Sequence, residues 1–199
     1  MQDTRRRSTP KKHSFKQEQL RHRERALIEA AAHLFAAKGY DGATIDDVVG
    51  AVGISKPTFY SHFAGKEALA IKVIVSRLEK ALSHLEGFAT SMPPGEAARA
   101  MIDWAIDNQV GSDCEPTFAG ALNFFDHEEV LDAESKLTER LADLINRGQR
   151  DGTIKKRVSA KILAMTFRSI IKDNSFFGKE NDQNYIDNLK IELRSLLLS

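Results

Sequence analysis

Five side chains between residues 56 and 62 can donate hydrogen bonds, and none of them is acidic: Lys56, Thr58, Tyr60, Ser61 and His62. Donors grouped in this way suit phosphate oxygens and the acceptors on base edges. Phe59 and Phe63, four residues apart in the same stretch, would anchor a helix to a core by its other face. A short helix with one apolar and one donor-rich face can read a nucleic acid. It can also pack inside an ordinary bundle, and spacing alone allows both.

Other chemistry finds no support. There is no glycine-rich phosphate loop and no dinucleotide fingerprint. The histidines, His13, His22, His33, His62, His84 and His127, include no pair at i, i+4 that suggests zinc. His127-Glu128-Glu129 begins like a metalloprotease motif, but residue 131 is leucine. Cys114 is the single cysteine, so there is no internal disulfide. Its neighbours Asp113 and Glu115 raise a thiol pKa and argue against a reactive thiolate. No catalytic residues, metal or cofactor are expected, and the chain reads as a protein other than an enzyme.

The donor cluster needs elements to hold it. Thr44 is a good helix N-cap, with Asp47 in the first turn where a negative charge is favoured. Ile45, Val48, Val49 and Val52 then make one apolar stripe. Gly53 suits the left-handed position that ends a helix. Ser55 can cap the next helix, and Pro57 sits in its first turn, where a missing N–H does no harm. Two short helices about a glycine turn predict a helix-turn-helix over Thr44–Phe63, whose second helix enters the DNA major groove. Before it, Ala26, Leu27, Ala30, Ala31, Leu34 and Phe35 predict a helix from about Arg23 to Gly39. Gly50 weakens the first motif helix by about 1 kcal/mol relative to alanine.

The rest of the chain also reads as helices. Lys66 opens a long one ending near Gly87, and Ser91–Gly95 breaks the chain. Helices follow over 97–110, Val130–Asn146, Ser159–Phe177 and from Asp182 onward, with a short aromatic segment at 117–126. The pattern is all-α, about nine helices and no sheet. Residues 1–22 are polar and basic and read as a flexible arm. Residues 1–66 hold twelve basic and seven acidic side chains, so a head of +5 sits on a body of −4 within a net charge of +1. A basic head suits a polyanion, although a basic tail can also serve solubility alone. No apolar run approaches the roughly 18 residues of a membrane span, and the N-terminus lacks the apolar core of a secretory signal. A cytoplasmic location is expected.

Residues 23–69 resemble the DNA-binding domain of the tetracycline-repressor (TetR) family. The likeness rests on ALIEAAAHLFAAKGYDGATI followed by DDVVGAVGISKPTFYSHFAGKEAL, with Thr44, Gly53-Ile54-Ser55, Thr58, Tyr60, His62-Phe63, Lys66 and Leu69 at the family's spacings. It implies a DNA-binding domain at 23–69 and a ligand-binding and dimerisation domain at 70–199. Thr44 would bind a phosphate through its hydroxyl and backbone N–H. Ser55, Lys56, Pro57 and Thr58 would open the recognition helix, Tyr60 and His62 would touch backbone or bases, and Lys66 would pair with a phosphate. Arg5–Arg7 and Lys11-Lys12 could enter a minor groove.

The resemblance implies a ligand-responsive transcriptional regulator, most often a repressor, binding double-stranded operator DNA as a homodimer. Two other readings stay open: a constitutive DNA-binding dimer without a small molecule, and a helical protein-interaction module. Ile162, Met165, Phe167, Ile170 and Ile171 cannot share one helix face, so residues 159–197 are expected to form the dimer interface. An apolar pocket for a small amphipathic effector is expected to use Trp104, Phe118, Asn123, Phe124 and Arg168. The effector's identity, the operator and the regulated genes are not written in the sequence.

Overall fold

The computed structural model describes residues 11–110, 122–172 and 183–198. A run rich in Lys, Arg, Gln, Glu, Leu and Ala, without glycine or proline until Gly39, builds α1 (Lys11–Gly42). Leu27, Ala31 and Phe35 bury one stripe of it completely. The arm expected over residues 1–22 is therefore helical from Lys11 onward, and residues 1–10 lie outside the described residues. Residues 17–23 are exposed. Propensity and continuity with the docked half of α1 hold residues 17–23 in the helix. Gly39 adopts φ 71°, which breaks the helix geometry and turns the chain toward Thr44.

The motif helices are α2 (Ile45–Val52) and α3 (Lys56–Tyr60), followed by the long α4 (Lys66–Ser91). The body adds α5 (Pro94–Val110), a 3-10 turn (Leu122–Asp126), α6 (Glu128–Asp151), α7 (Ala160–Lys172) and α8 (Gln183–Leu197). Among the described residues the one β feature is an isolated bridge between Ile154 and Leu198. No helix among them is long and apolar enough to cross a membrane.

The apolar residues gather into two cores. The head core joins α1, α2, α3 and the first half of α4 around Leu27, Phe35, Val48, Phe59 and Leu69. The body core joins α5 to α8 around Ile102, Ile106, Leu141, Leu144 and Phe167. The domain boundary expected after residue 69 has no break in the chain. Helix α4 runs through it, with Val73 and Ile74 still in the head core and Leu85 in the body core. Phe124 and Val130 also belong to the head core, so the body's 3-10 turn and the start of α6 are docked onto the head.

Candidate nucleic-acid interface

The turn between α2 and α3 is built as its residues dictate. Thr44 and Asp47 form a reciprocal capping box: the Asp47 N–H donates to the Thr44 hydroxyl at 3.1 Å, and the Thr44 N–H donates to the Asp47 carboxylate at 2.9 Å. Gly53 closes α2 with φ 73°, and its N–H and that of Ile54 both donate to the Val49 carbonyl. Ser55 caps α3 by accepting from the Thr58 N–H, and the two hydroxyls also meet at 2.9 Å. Phe59 is fully buried and Phe63 nearly so, which fixes how α3 rolls on the head. That roll leaves Ser55, Lys56, Pro57, Tyr60 and Ser61 exposed, with Thr58 and His62 half-buried. Tyr60 remains 54% exposed although its ring meets Phe59 edge-on, and its hydroxyl has no protein partner among the described residues.

The charges around this surface are already paired. Lys38 at the end of α1 reaches the Asp47 carboxylate at 2.8 Å. Its ammonium, then the Thr44 hydroxyl and N–H, lower the Asp47 carboxyl to about 2. Lys56 reaches Asp46 at 2.9 Å, and that carboxylate pushes the ammonium pKa above its usual value. Thr44 was expected to offer its hydroxyl and N–H to a phosphate. Both instead donate to Asp47, so a phosphate there must displace the carboxylate.

Lys66 departs furthest from expectation. Its ammonium donates to the carbonyls of Tyr40 at 2.9 Å and Ala43 at 3.1 Å, and lies 4.2 Å from the centre of the Tyr40 ring. It ties the start of α4 to the end of α1 and neutralises the carbonyl end of that helix. A phosphate at this helix start would compete with both carbonyls for the Lys66 ammonium. Asp46 and Tyr40, which sequence reasoning passed over, carry much of this arrangement. The capping-box spacing was legible at Thr44 and Asp47, but no periodic signal links Lys56 to Asp46 or Lys66 to Tyr40.

A sequence profile described as bacterial regulatory proteins, tetR family, matches residues 27–73, which supply most of the head core. Residues 27–73 are thus a DNA-binding domain of the tetR type. The chain is 39% identical over 80 residues to the transcriptional regulator TcmR of Streptomyces glaucescens, which is 40% of this chain and 35% of TcmR. It is 35% identical over 83 residues to EthR of Mycolicibacterium smegmatis, 41% of this chain and 38% of EthR. The chain thus spans little more than a third of the length of these curated relatives. Likeness of fold extends further. The regulatory protein TetR from Rhodobacter sphaeroides superposes with a TM-score of 0.71, at 15% identity, over 87% of this chain and 98% of that one. AibR, solved in complex with isovaleryl coenzyme A and operator DNA, gives 0.60 at 19% identity over 86% and 97%.

Of the five residues expected to line an effector pocket, the three whose side chains are described, Trp104, Phe124 and Arg168, do not converge. Phe118 and the side chain of Asn123 lie outside the described residues. Phe124 is 7% exposed and packs edge-on against Tyr40 at 4.9 Å, in the head core. Its burial serves the joint between head and body. Arg168 pairs with Glu134 at 2.9 Å and donates to the Thr138 hydroxyl, locking α7 to α6. Trp104 is half-buried and stacked on His84, with centroids 4.5 Å apart, between α5 and α4. An open groove of about 280 Å³ between α4 and α6 is lined largely by charge, including Glu86, Arg140, Asp143 and Arg147, unlike the apolar lining expected.

Proposed function

We propose that the protein is a DNA-binding transcriptional regulator, a homodimeric repressor whose hold on operator DNA is weakened by a small amphipathic effector. The observation that carries the reading is the outer surface of α3. A helix that only packed would bury its large aromatic, whereas Tyr60 stands in solvent beside Ser55, Lys56, Pro57 and Ser61 while Phe59 and Phe63 anchor the other face. His62 and Thr58 flank this surface, with Thr44 at the neighbouring helix start.

The dimer is proposed to use α7 and α8. Ile162 and Met165 on α7 and Tyr185, Ile191 and Leu196 on α8 are about half exposed or more, although Ala164, Phe167 and Leu193 on the same helices are buried in the body core. Two apolar faces on one helix pair support a second copy against the outer one. Two-fold pairing would set two α3 helices about 34–36 Å apart, one turn of duplex. An effector acts on such a dimer only through its different affinity for the spaced and unspaced states. We place it beside Trp104, between α4 and α5.

The test is selection of duplexes from a random-sequence pool, followed by anisotropy titration of the winner. Stoichiometric, salt-sensitive binding by a dimer is expected, with release by ligands that quench the fluorescence of Trp104, the single tryptophan. Recovery of no enriched duplex would sink the reading.

A further inference from the structure

The lysines at 38, 56 and 66 each hold a partner within the protein. Lys38 is on Asp47, Lys66 is on two backbone carbonyls, and Lys56 is on Asp46. Lys56 is the basic residue of the recognition helix, and Asp46 stands in the first turn of the helix before it. The Asp46 carboxylate is not needed for the fold of that turn, because Asp47 alone makes the capping box and binds Lys38. The Lys56 and Asp46 side chains are 53% and 69% exposed, so their pair lies in water and is weak. A well-placed acceptor can break it; a diffuse one gains little by doing so.

We propose that Asp46 is a specificity-determining residue of the DNA-reading surface. It holds the Lys56 ammonium in an ion pair, so that Lys56 joins binding only where a base or phosphate is placed well enough to displace the carboxylate. The inference rests on the DNA-binding reading above. Its physical basis is the origin of non-specific affinity: each lysine that neutralises a phosphate releases condensed counterions, whatever the sequence. A lysine neutralised beforehand by its own carboxylate releases none. Random DNA therefore meets a recognition helix without free cationic charge, while a matching site meets Lys56 once the carboxylate is displaced. Discrimination improves by weakening the wrong complexes rather than by strengthening the right one.

The experiment compares wild type, Asp46→Asn, Lys56→Gln and the double variant. The probes are a duplex selected from a random pool by the wild-type protein and a scrambled duplex of the same length and composition, each titrated over a range of KCl. Asp46→Asn is expected to bind the scrambled duplex about five- to tenfold tighter at moderate salt, with a log–log salt slope steeper by about one. The selected duplex is expected to change much less. Adding Lys56→Gln is expected to return scrambled binding to the wild-type level. Three results would overturn the proposal: unchanged scrambled affinity in Asp46→Asn, equal gains on both duplexes, or a gain that survives in the double variant. In the last case Asp46 acts as a bare repulsive charge and does not work through Lys56. If wild type selects no duplex, the DNA-binding reading itself falls and takes this inference with it.

Discussion

Tyr60 and Lys66, two polar residues of one motif, differ in their surroundings: Tyr60 stands in solvent and Lys66 is tied to two backbone carbonyls. The Tyr60 hydroxyl has no protein partner among the described residues, so Tyr60→Phe is expected to leave stability within about 0.5 kcal/mol of wild type. Affinity for a selected duplex is expected to fall by about 1 kcal/mol, the loss of one hydrogen bond. Lys66→Met removes a charged donor from two carbonyls at a half-buried joint. It is expected to destabilise the fold by about 1–3 kcal/mol in urea titration, with DNA binding lost only through unfolding. A stable Lys66→Met protein with a salt slope lower by one would restore its phosphate role. Asp47 adds a pH signature. Its carboxyl is lowered to about 2 from 3.8, so the cap is complete above the ordinary carboxylate range and is lost as pH falls through about 2. Carboxyl NMR titration should place its midpoint below those of exposed carboxylates, and Lys38→Met should raise it.

Glycines separate the elements according to what each conformation requires. A Cβ on Gly50 would meet nothing within 4 Å, and the residue is exposed inside α2 with ordinary helical geometry. Gly50→Ala is therefore expected to stabilise the head by about 0.5–1 kcal/mol. A Cβ on Gly148 would lie 2.6 Å from the Ile154 side chain, which is fully buried where the chain leaves α6. Gly148→Ala is expected to destabilise by about 1–3 kcal/mol through overpacking. Thermal melts of the two variants should move in opposite directions, and a shared direction would refute the packing described at one of them. The elements themselves were largely legible. Caps at Thr44 and Ser55, the stop at Gly53 and the stripe of α1 act within a few residues, so a local reading captures them. The start of α1 was missed because the sequence before Arg23 carries no apolar stripe, leaving propensity as its only signal.

At the scale of the whole molecule, head and body share α4 and meet again where Phe124 packs on Tyr40. Phe124→Ala would empty a buried site and is expected to cost about 3–5 kcal/mol. That loss should appear in denaturation whether or not an effector is present. A variant of wild-type stability with altered effector response would return Phe124 to a pocket. The proposed dimer face invites a paired test. Leu193 is buried in the protomer's own core, so Leu193→Asp is expected to unfold the chain. Leu196 is 67% exposed on the same helix, so Leu196→Asp is expected to yield a folded monomer by sedimentation. A dimeric Leu196→Asp protein would move the interface elsewhere.

The sequence by itself determined the helices, the glycine turn and the donor-rich recognition face, because periodicity, capping and turn chemistry are properties of neighbouring residues. It also placed Phe59 and Phe63 inward and Tyr60 outward, since one apolar anchor fixes the roll of a short helix. Only the tertiary structure decided what the long polar side chains and the second-tier aromatics do. Lys66 finds its carbonyls 26 and 23 residues away, Arg168 reaches α6 across 30 residues, and Phe124 reaches Tyr40 across the joint of head and body. Those partners are set by how helices cross. A flexible cation or an aromatic ring has several plausible partners within reach, and the crossing angle selects one of them.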